Sequence, residues 1–185
     1  MLRPILFLSA IIVVGISSCD SKHDEVYEEP VTSALVILTP DTGQVVILQY
    51  LDRDGEGGRA PLVSGGTLEP NTTYNCQIQL NTIGKHVVDS TLITNEPEIH
   101  QIFFLTQNEL RVQTEYTDLD ANGFPIGLRF TLRTESESSG QFSVIIKHNP
   151  NKLATGVSRG DITSAGGKTD FEATFDISVS PMSNQ

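Results

Sequence analysis

Phe171-Glu172-Ala173-Thr174-Phe175-Asp176-Ile177-Ser178-Val179 is the stretch that decides the fold. Apolar and polar side chains alternate along it, which is the period-two pattern of a half-buried β-strand. Residues 72–80 repeat the pattern, with Tyr74, Cys76, Ile78 and Leu80 on the apolar face. A thiol on that face behaves as a small hydrophobe. Two strands that each bury one face predict a sheet packed on an apolar core.

Six further segments have the composition of strands, at residues 32–39, 44–51, 100–105, 110–116, 126–132 and 142–148. The first two flank Pro40-Asp41-Thr42-Gly43, a turn composition, and predict a hairpin. About eight strands without a long helical period predict an all-β, immunoglobulin-like antiparallel β-sandwich that forms one domain over residues 32–185. Residues 86–98 are compatible with a strand, a loop or a short helix.

The N-terminus has the order of a secretory signal, predicted over residues 1–18. A short basic start containing Arg3 precedes an apolar run at residues 4–14 and the small residues Gly15, Ser17 and Ser18. The run is too short to span a bilayer of roughly 30 Å. Its ending before Cys19 resembles a bacterial lipobox, which implies cleavage there and acylation of Cys19. The alternative is a secreted protein whose cysteine is unmodified.

Residues 19–31 are acidic, lack apolar periodicity and include Pro30, so we expect a flexible tether. Its acids also resemble signals that send some flavobacterial lipoproteins to the cell surface, and a plain spacer is the alternative. The formal net charge of −11 opposes binding to nucleic acid. Once Cys19 is acylated, Cys76 is the one cysteine left, so no intramolecular disulfide is expected.

Two loops carry alternating oxygen ligands, the arrangement by which calcium loops collect their donors. Asp118, Asp120 and Asn122 precede Gly123, and Asp52, Asp54 and Glu56 precede Gly57. An EF-hand is excluded because its twelfth position is occupied by Arg129 and flanking helices are not predicted. Calcium is therefore the candidate cofactor at these two loops. Turn formation is the competing interpretation, because Asp, Asn and Gly are also turn residues.

His100 and His148 lie at predicted strand ends or within strands, so they could meet in space. With Glu96 or Glu98 they would form a two-histidine ligand site, and the alternative is a cross-strand hydrogen bond. A nucleophile elbow, a P-loop and a dinucleotide fingerprint are all absent from the sequence, so an enzyme is not expected.

Several stretches together resemble a family of small lipoproteins from flavobacteria and related bacteria, labelled "type 1 periplasmic binding fold superfamily protein". They are residues 52–58 with Ala60-Pro61, 65–68, 71–74, His100-Gln101 before Phe103-Phe104, Gly127-Leu128, 148–152, 160–163 with 165–167, Asp170 and Phe175. The resemblance implies a lipoprotein of the cell envelope. The sequence itself lacks the βαβ alternation of a doubly wound domain, so the all-β prediction stands beside it.

These features predict an outer-membrane lipoprotein, facing the periplasm or the cell exterior. We expect it to act as a ligand-binding module or as an accessory of a TonB-dependent transporter. The alternative is a structural or assembly lipoprotein that binds only other envelope proteins. In both cases the membrane is reached through the lipid on Cys19.

Overall fold

Ten strands build the domain in a computed structural model that describes residues 31–55, 57–82 and 90–181. They are β1 (Ser33–Pro40), β2 (Val46–Leu51), β3 (Leu62–Ser64), β4 (Gly66–Leu68), β5 (Thr73–Asn81), β6 (His100–Gln107), β7 (Val112–Tyr116), β8 (Arg129–Thr134), β9 (Ser138–His148) and β10 (Lys168–Val179). One helical turn, α1 (Thr91–Thr94), and 3-10 turns at Pro97–Ile99, Val157–Arg159 and Ile162–Ser164 complete the described elements.

The strands form two sheets, which confirms the predicted all-β sandwich. The six-stranded sheet has the order β3-β2-β1-β5-β8-β7, and the four-stranded sheet has the order β4-β10-β9-β6. All strand pairs are antiparallel except β4 with β10, and β1 and β2 form the predicted hairpin. The eight predicted strands are all present. The two additional ones, β3 and β4, have three residues each, too few to produce a recognisable alternation.

The core lies between the sheets and follows the alternation of the sequence. In β5 the predicted inward residues Tyr74, Cys76, Ile78 and Leu80 are all buried. Phe104 of β6 stacks on Phe130 with ring centroids 4.0 Å apart. Each fully buried side chain of this size stabilises the fold by about 1.5–3 kcal/mol, so the core supplies the main driving force.

A second apolar cluster covers the outer face of the four-stranded sheet. Phe103 and Ile145 are paired across β6 and β9, and Val157 and Ala165 pack over them from the segment that follows β9. The middle of β9 is therefore buried on both faces, which accounts for the unbroken apolar run of residues 144–146.

Three sequence predictions concern regions that the structure covers partly or not at all. The signal peptide (1–18) and nearly all of the tether (19–31) lie outside the described residues. Within residues 86–98 the structure describes 90–98, which contain α1 and the start of the Pro97–Ile99 turn and form no strand. In the described part of the chain, no helix combines the length and hydropathy needed to cross a bilayer.

Candidate functional site

His100 and His148 meet at one end of the four-stranded sheet. His100 begins β6 and His148 ends β9, and the antiparallel register places them directly opposite each other. His148 Nδ1 lies 3.1 Å from His100 Nε2, and the two rings are nearly perpendicular. The His100 side chain is fully buried, whereas that of His148 is 20% exposed. The two histidines therefore meet in space, as the sequence predicted, and both lie in strands.

A carboxylate from the third strand, Asp170, completes the cluster. The β9–β10 register shifts between Thr169 and Phe171, so Asp170 is the extra residue of a β-bulge. In a regular strand Asp170 would alternate with Phe171 and lie on the opposite face from the histidines. A bulge redirects side chains, and here it brings the Asp170 carboxylate to the two rings.

The donor atoms of the three side chains have the spacing of metal ligands. Asp170 Oδ2 lies 3.4 Å from His148 Nδ1 and 3.9 Å from His100 Nε2. Among residues 31–55, 57–82 and 90–181, this is the group of three metal-ligating side chains whose donors all lie within 4.8 Å of one another. Two imidazoles and one carboxylate form a donor set that suits zinc and neighbouring transition metals.

The main chain sets the proton position of His100. Its Nδ1 lies 2.9 Å from the carbonyl oxygen of Glu96, which can only accept a hydrogen bond. Neutral His100 therefore carries its proton on Nδ1, and the lone pair of Nε2 points toward His148 and Asp170. The side chains of Glu96 and Glu98 are exposed, so the carboxylate beside the histidines is Asp170 and neither of the predicted glutamates.

A buried ion pair holds the segments around this cluster. Lys152 Nζ donates to Asp120 Oδ2 at 2.8 Å and to the carbonyl oxygens of Pro97 and Pro125 at 2.7 and 3.0 Å. Both charged side chains are nearly inaccessible to solvent. Because Pro97 follows Glu96 directly, Lys152 helps to fix the carbonyl that orients His100. The sequence offered no signal for this lysine, which lies in a loop.

The acidic residues predicted to bind calcium are engaged in loop hydrogen bonds. Asp118 accepts the backbone N–H groups of Gly127 and Arg129. Asp120 accepts those of Asn122 and Phe124 in addition to the Lys152 ammonium. Burial raises the pKa of Asp120, but these hydrogen bonds outweigh it and leave its pKa below the usual value. Calcium at this loop stays a prediction, and the observed contacts are those of a structured turn.

The first acidic loop has similar contacts. Asp52 accepts the backbone N–H groups of Asp54 and Gly55, and Asp54 accepts that of Arg59. Glu56 lies outside the described residues, as does Cys19. Calcium at this loop likewise stays a prediction.

Cys76 is a free, buried cysteine in β5. Burial raises the pKa of its thiol to about 12, so the reactive thiolate is scarce at neutral pH. The thiol belongs to the core, as the alternation of β5 predicted, and takes no part in the histidine cluster.

A separate open cleft of about 520 Å³ lies at the other end of the four-stranded sheet. Its lining mixes polar and apolar groups and includes Gly66, Thr67, Gly140, Asp176 and Ile177. Gly140 is near the start of β9 and His148 at its end, so the cleft and the histidine cluster are separated by most of the strand. The cleft gathers no set of titratable groups, and the ligand chemistry of the described residues concentrates at the histidines.

No protein-family model, curated protein or solved structure matches the chain.

Proposed function

We propose that this chain is a lipid-anchored, ligand-binding lipoprotein of the cell envelope, with the histidine end of the sandwich as its binding site. The observation that carries the proposal is the convergence of His100, His148 and Asp170 from three neighbouring strands. Strands hold such groups more rigidly than loops do, which lowers the entropic cost of binding. A role as accessory to a TonB-dependent transporter falls within this proposal.

The anchor in this proposal is the acylated Cys19. It is supported by the order of basic, apolar and small residues before that cysteine. A single acyl chain binds membranes only reversibly, so stable anchoring requires more than one chain on the cysteine. Within this proposal the role is one of binding, and the sequence contains no nucleophile motif.

A structural or assembly role is the second candidate, and exposed apolar residues at one edge of the six-stranded sheet favour it. Ile47 of β2 and Leu62 of β3 are 51% and 58% exposed, and Val45, two residues before Ile47, is 52% exposed. Ile47 and Leu62 share one face, because Leu62 pairs with Leu51, which lies four residues after Ile47. Exposed apolar groups at a sheet edge are suited to contact with another protein.

Membrane fractionation combined with affinity purification tests the proposal. The full chain with a C-terminal tag is expressed in a native host beside Cys19→Ala and Cys76→Ala variants. We expect acyl label and membrane association to be lost in Cys19→Ala and kept in Cys76→Ala, because only the former removes the lipid site. A soluble, unlabelled wild-type protein would contradict the anchor.

Purification from gently solubilised membranes then separates the two candidate roles. Recovery of one transporter in stoichiometric amount, lost with Cys19→Ala, would support the accessory role. Recovery of another envelope complex, abolished by Ile47→Lys and unaffected by His148→Gln, would favour the structural role. Recovery of no partner would exclude the accessory role and leave a protein that binds its ligand alone.

A further inference from the structure

We infer that the ligand of this binding module is a divalent transition-metal ion of the zinc type, held by His100 Nε2, His148 Nδ1 and Asp170 Oδ2. The inference rests on the proposed function and adds to it the chemical class of the ligand.

The three donor atoms form a triangle of the size that a bound ion requires. Its sides are 3.1, 3.4 and 3.9 Å. A point equidistant from its corners lies about 2.0 Å from each, which is the length of a zinc–nitrogen or zinc–oxygen bond. The three separations therefore suit an ion in contact with all three donors.

A backbone hydrogen bond fixes which nitrogen of His100 faces the site. The Glu96 carbonyl keeps the His100 proton on Nδ1, so Nε2 is the basic nitrogen that faces the site. A backbone acceptor on the far nitrogen is the usual partner of a metal-binding histidine. Because His100 Nε2 accepts, His148 Nδ1 donates in the metal-free protein. To bind an ion through Nδ1, His148 would carry its proton on Nε2 instead.

The nitrogen and oxygen donors of the site favour some metal ions over others. Calcium and magnesium prefer sets of six or more oxygens, whereas two imidazole nitrogens with one carboxylate oxygen suit zinc, copper, nickel and iron. Lys168 Nζ lies 3.4 Å from Asp170 Oδ1, whereas Oδ2 is the oxygen recorded in the contacts with both histidines. Oδ2 is therefore the oxygen assigned to the ion.

The described residues supply three ligands, which leave the coordination of an ion incomplete. Structural zinc sites enclose the ion with four protein ligands, whereas sites with three ligands keep a position for water or for an exchanging group. His148 is partly exposed, which gives the ion a path from solvent. A three-ligand site of this kind suits the reversible capture of an ion and its transfer to another protein.

Metal titration of the full-length chain as an unacylated Cys19→Ala variant tests the inference, with Zn²⁺ and Co²⁺ as probes. We expect one ion per chain by calorimetry and a visible Co²⁺ absorption of low-coordinate nitrogen and oxygen ligation. Asp170→Asn and His148→Gln should each weaken Zn²⁺ binding at least about 100-fold, since loss of a mere supporting residue already costs 10–100-fold. Asp176→Asn is the matched control, because Asp176 is an exposed carboxylate of the same strand. It should leave the affinity unchanged.

Nuclear magnetic resonance of the histidine rings provides a measurement that needs no site variant. On Zn²⁺ addition, the ring nitrogens of His100 and His148 should shift, and His148 should change tautomer. Zn²⁺ binding that shifts only His23 or His86, or an affinity equal in Asp170→Asn and Asp176→Asn, would overturn the inference. Absence of Zn²⁺ and Co²⁺ binding, or a preference for Ca²⁺, would do the same.

The outcomes for metal and for anchor are separable. A chain that is acylated and captures a partner but binds no Zn²⁺ would refute the metal and retain the proposed lipoprotein function. A chain that binds Zn²⁺ and is never acylated would retain the metal and refute the anchor.

Discussion

Replacement of Lys152 by methionine should be among the most destabilising single changes in this domain. Methionine keeps most of the apolar stem and removes the ammonium. The change leaves Asp120 Oδ2 and the carbonyl oxygens of Pro97 and Pro125 without their donor. The Asp120 side chain is fully buried, so solvent cannot replace the lysine.

The expected cost follows from this environment. Removing one partner of a buried ion pair costs about 3–5 kcal/mol, because the remaining charge stays desolvated. That is a large part of a typical domain stability of about 5–15 kcal/mol. Lys147→Met is the matched control: its Nζ makes two hydrogen bonds of 3.2 Å at an exposed site. Exposed charges of this kind contribute about 0–1 kcal/mol.

Urea unfolding followed by circular dichroism measures the difference. With a slope of about 2 kcal/mol per molar urea, Lys152→Met should lower the midpoint by about 1.5–2.5 M, and Lys147→Met by less than about 0.5 M. The double variant Lys152→Met with Asp120→Asn should recover about 1–3 kcal/mol relative to the sum of the single changes. Asparagine keeps an oxygen for the Asn122 and Phe124 amides and removes the unpaired charge.

Equal midpoint shifts for Lys152→Met and Lys147→Met would contradict a large contribution from the buried ion pair. Additivity of Lys152→Met and Asp120→Asn would also contradict it, because residues joined by a buried hydrogen bond must show coupling.

The remaining predictions concern acid stability, thiol reactivity and the entry to β10. Hydrogen bonds hold the pKa of Asp120 below its usual value. Its contribution to the free energy of unfolding is therefore present above about pH 3.9 and is lost as pH falls through the folded-state pKa. Urea midpoints measured from pH 7 to 2 should fall at acid pH, and they should fall less in Asp120→Asn. Cys76, with a pKa of about 12, should resist a thiol reagent at pH 8 until urea unfolds the chain, and rapid native labelling would contradict its burial. Gly167→Ala should destabilise by several kcal/mol, because a Cβ there would overlap the His148 carbonyl oxygen at positive φ. Gly166→Ala has the same backbone strain and open space around it, so it should cost only about 1–2 kcal/mol, and equal midpoints for the two would exclude the steric argument.

The strands were predictable because their signal is local. In β5 and β10 the side chains of alternate residues reach the same core, so the order of residues along one strand suffices to assign its faces. β3 and β4 escaped prediction because three residues cannot establish a period. The burial of the outer face of β9 was not predictable either, because Ile145 is covered by Val157 and Ala165, which follow it at a distance in the sequence.

The sequence alone determined that strands alternate, that the sheet has an apolar face, and that His100 and His148 lie at strand ends. It could not identify the carboxylate that joins them. Asp170 directly precedes the alternating stretch, and a strict alternation from Phe171 would place it on the face opposite to the histidines. Pairing with β9 and a one-residue bulge turn it toward the histidines. Register and bulges depend on hydrogen bonds between strands that are far apart in the chain, so only the tertiary structure decided which side chains share the site.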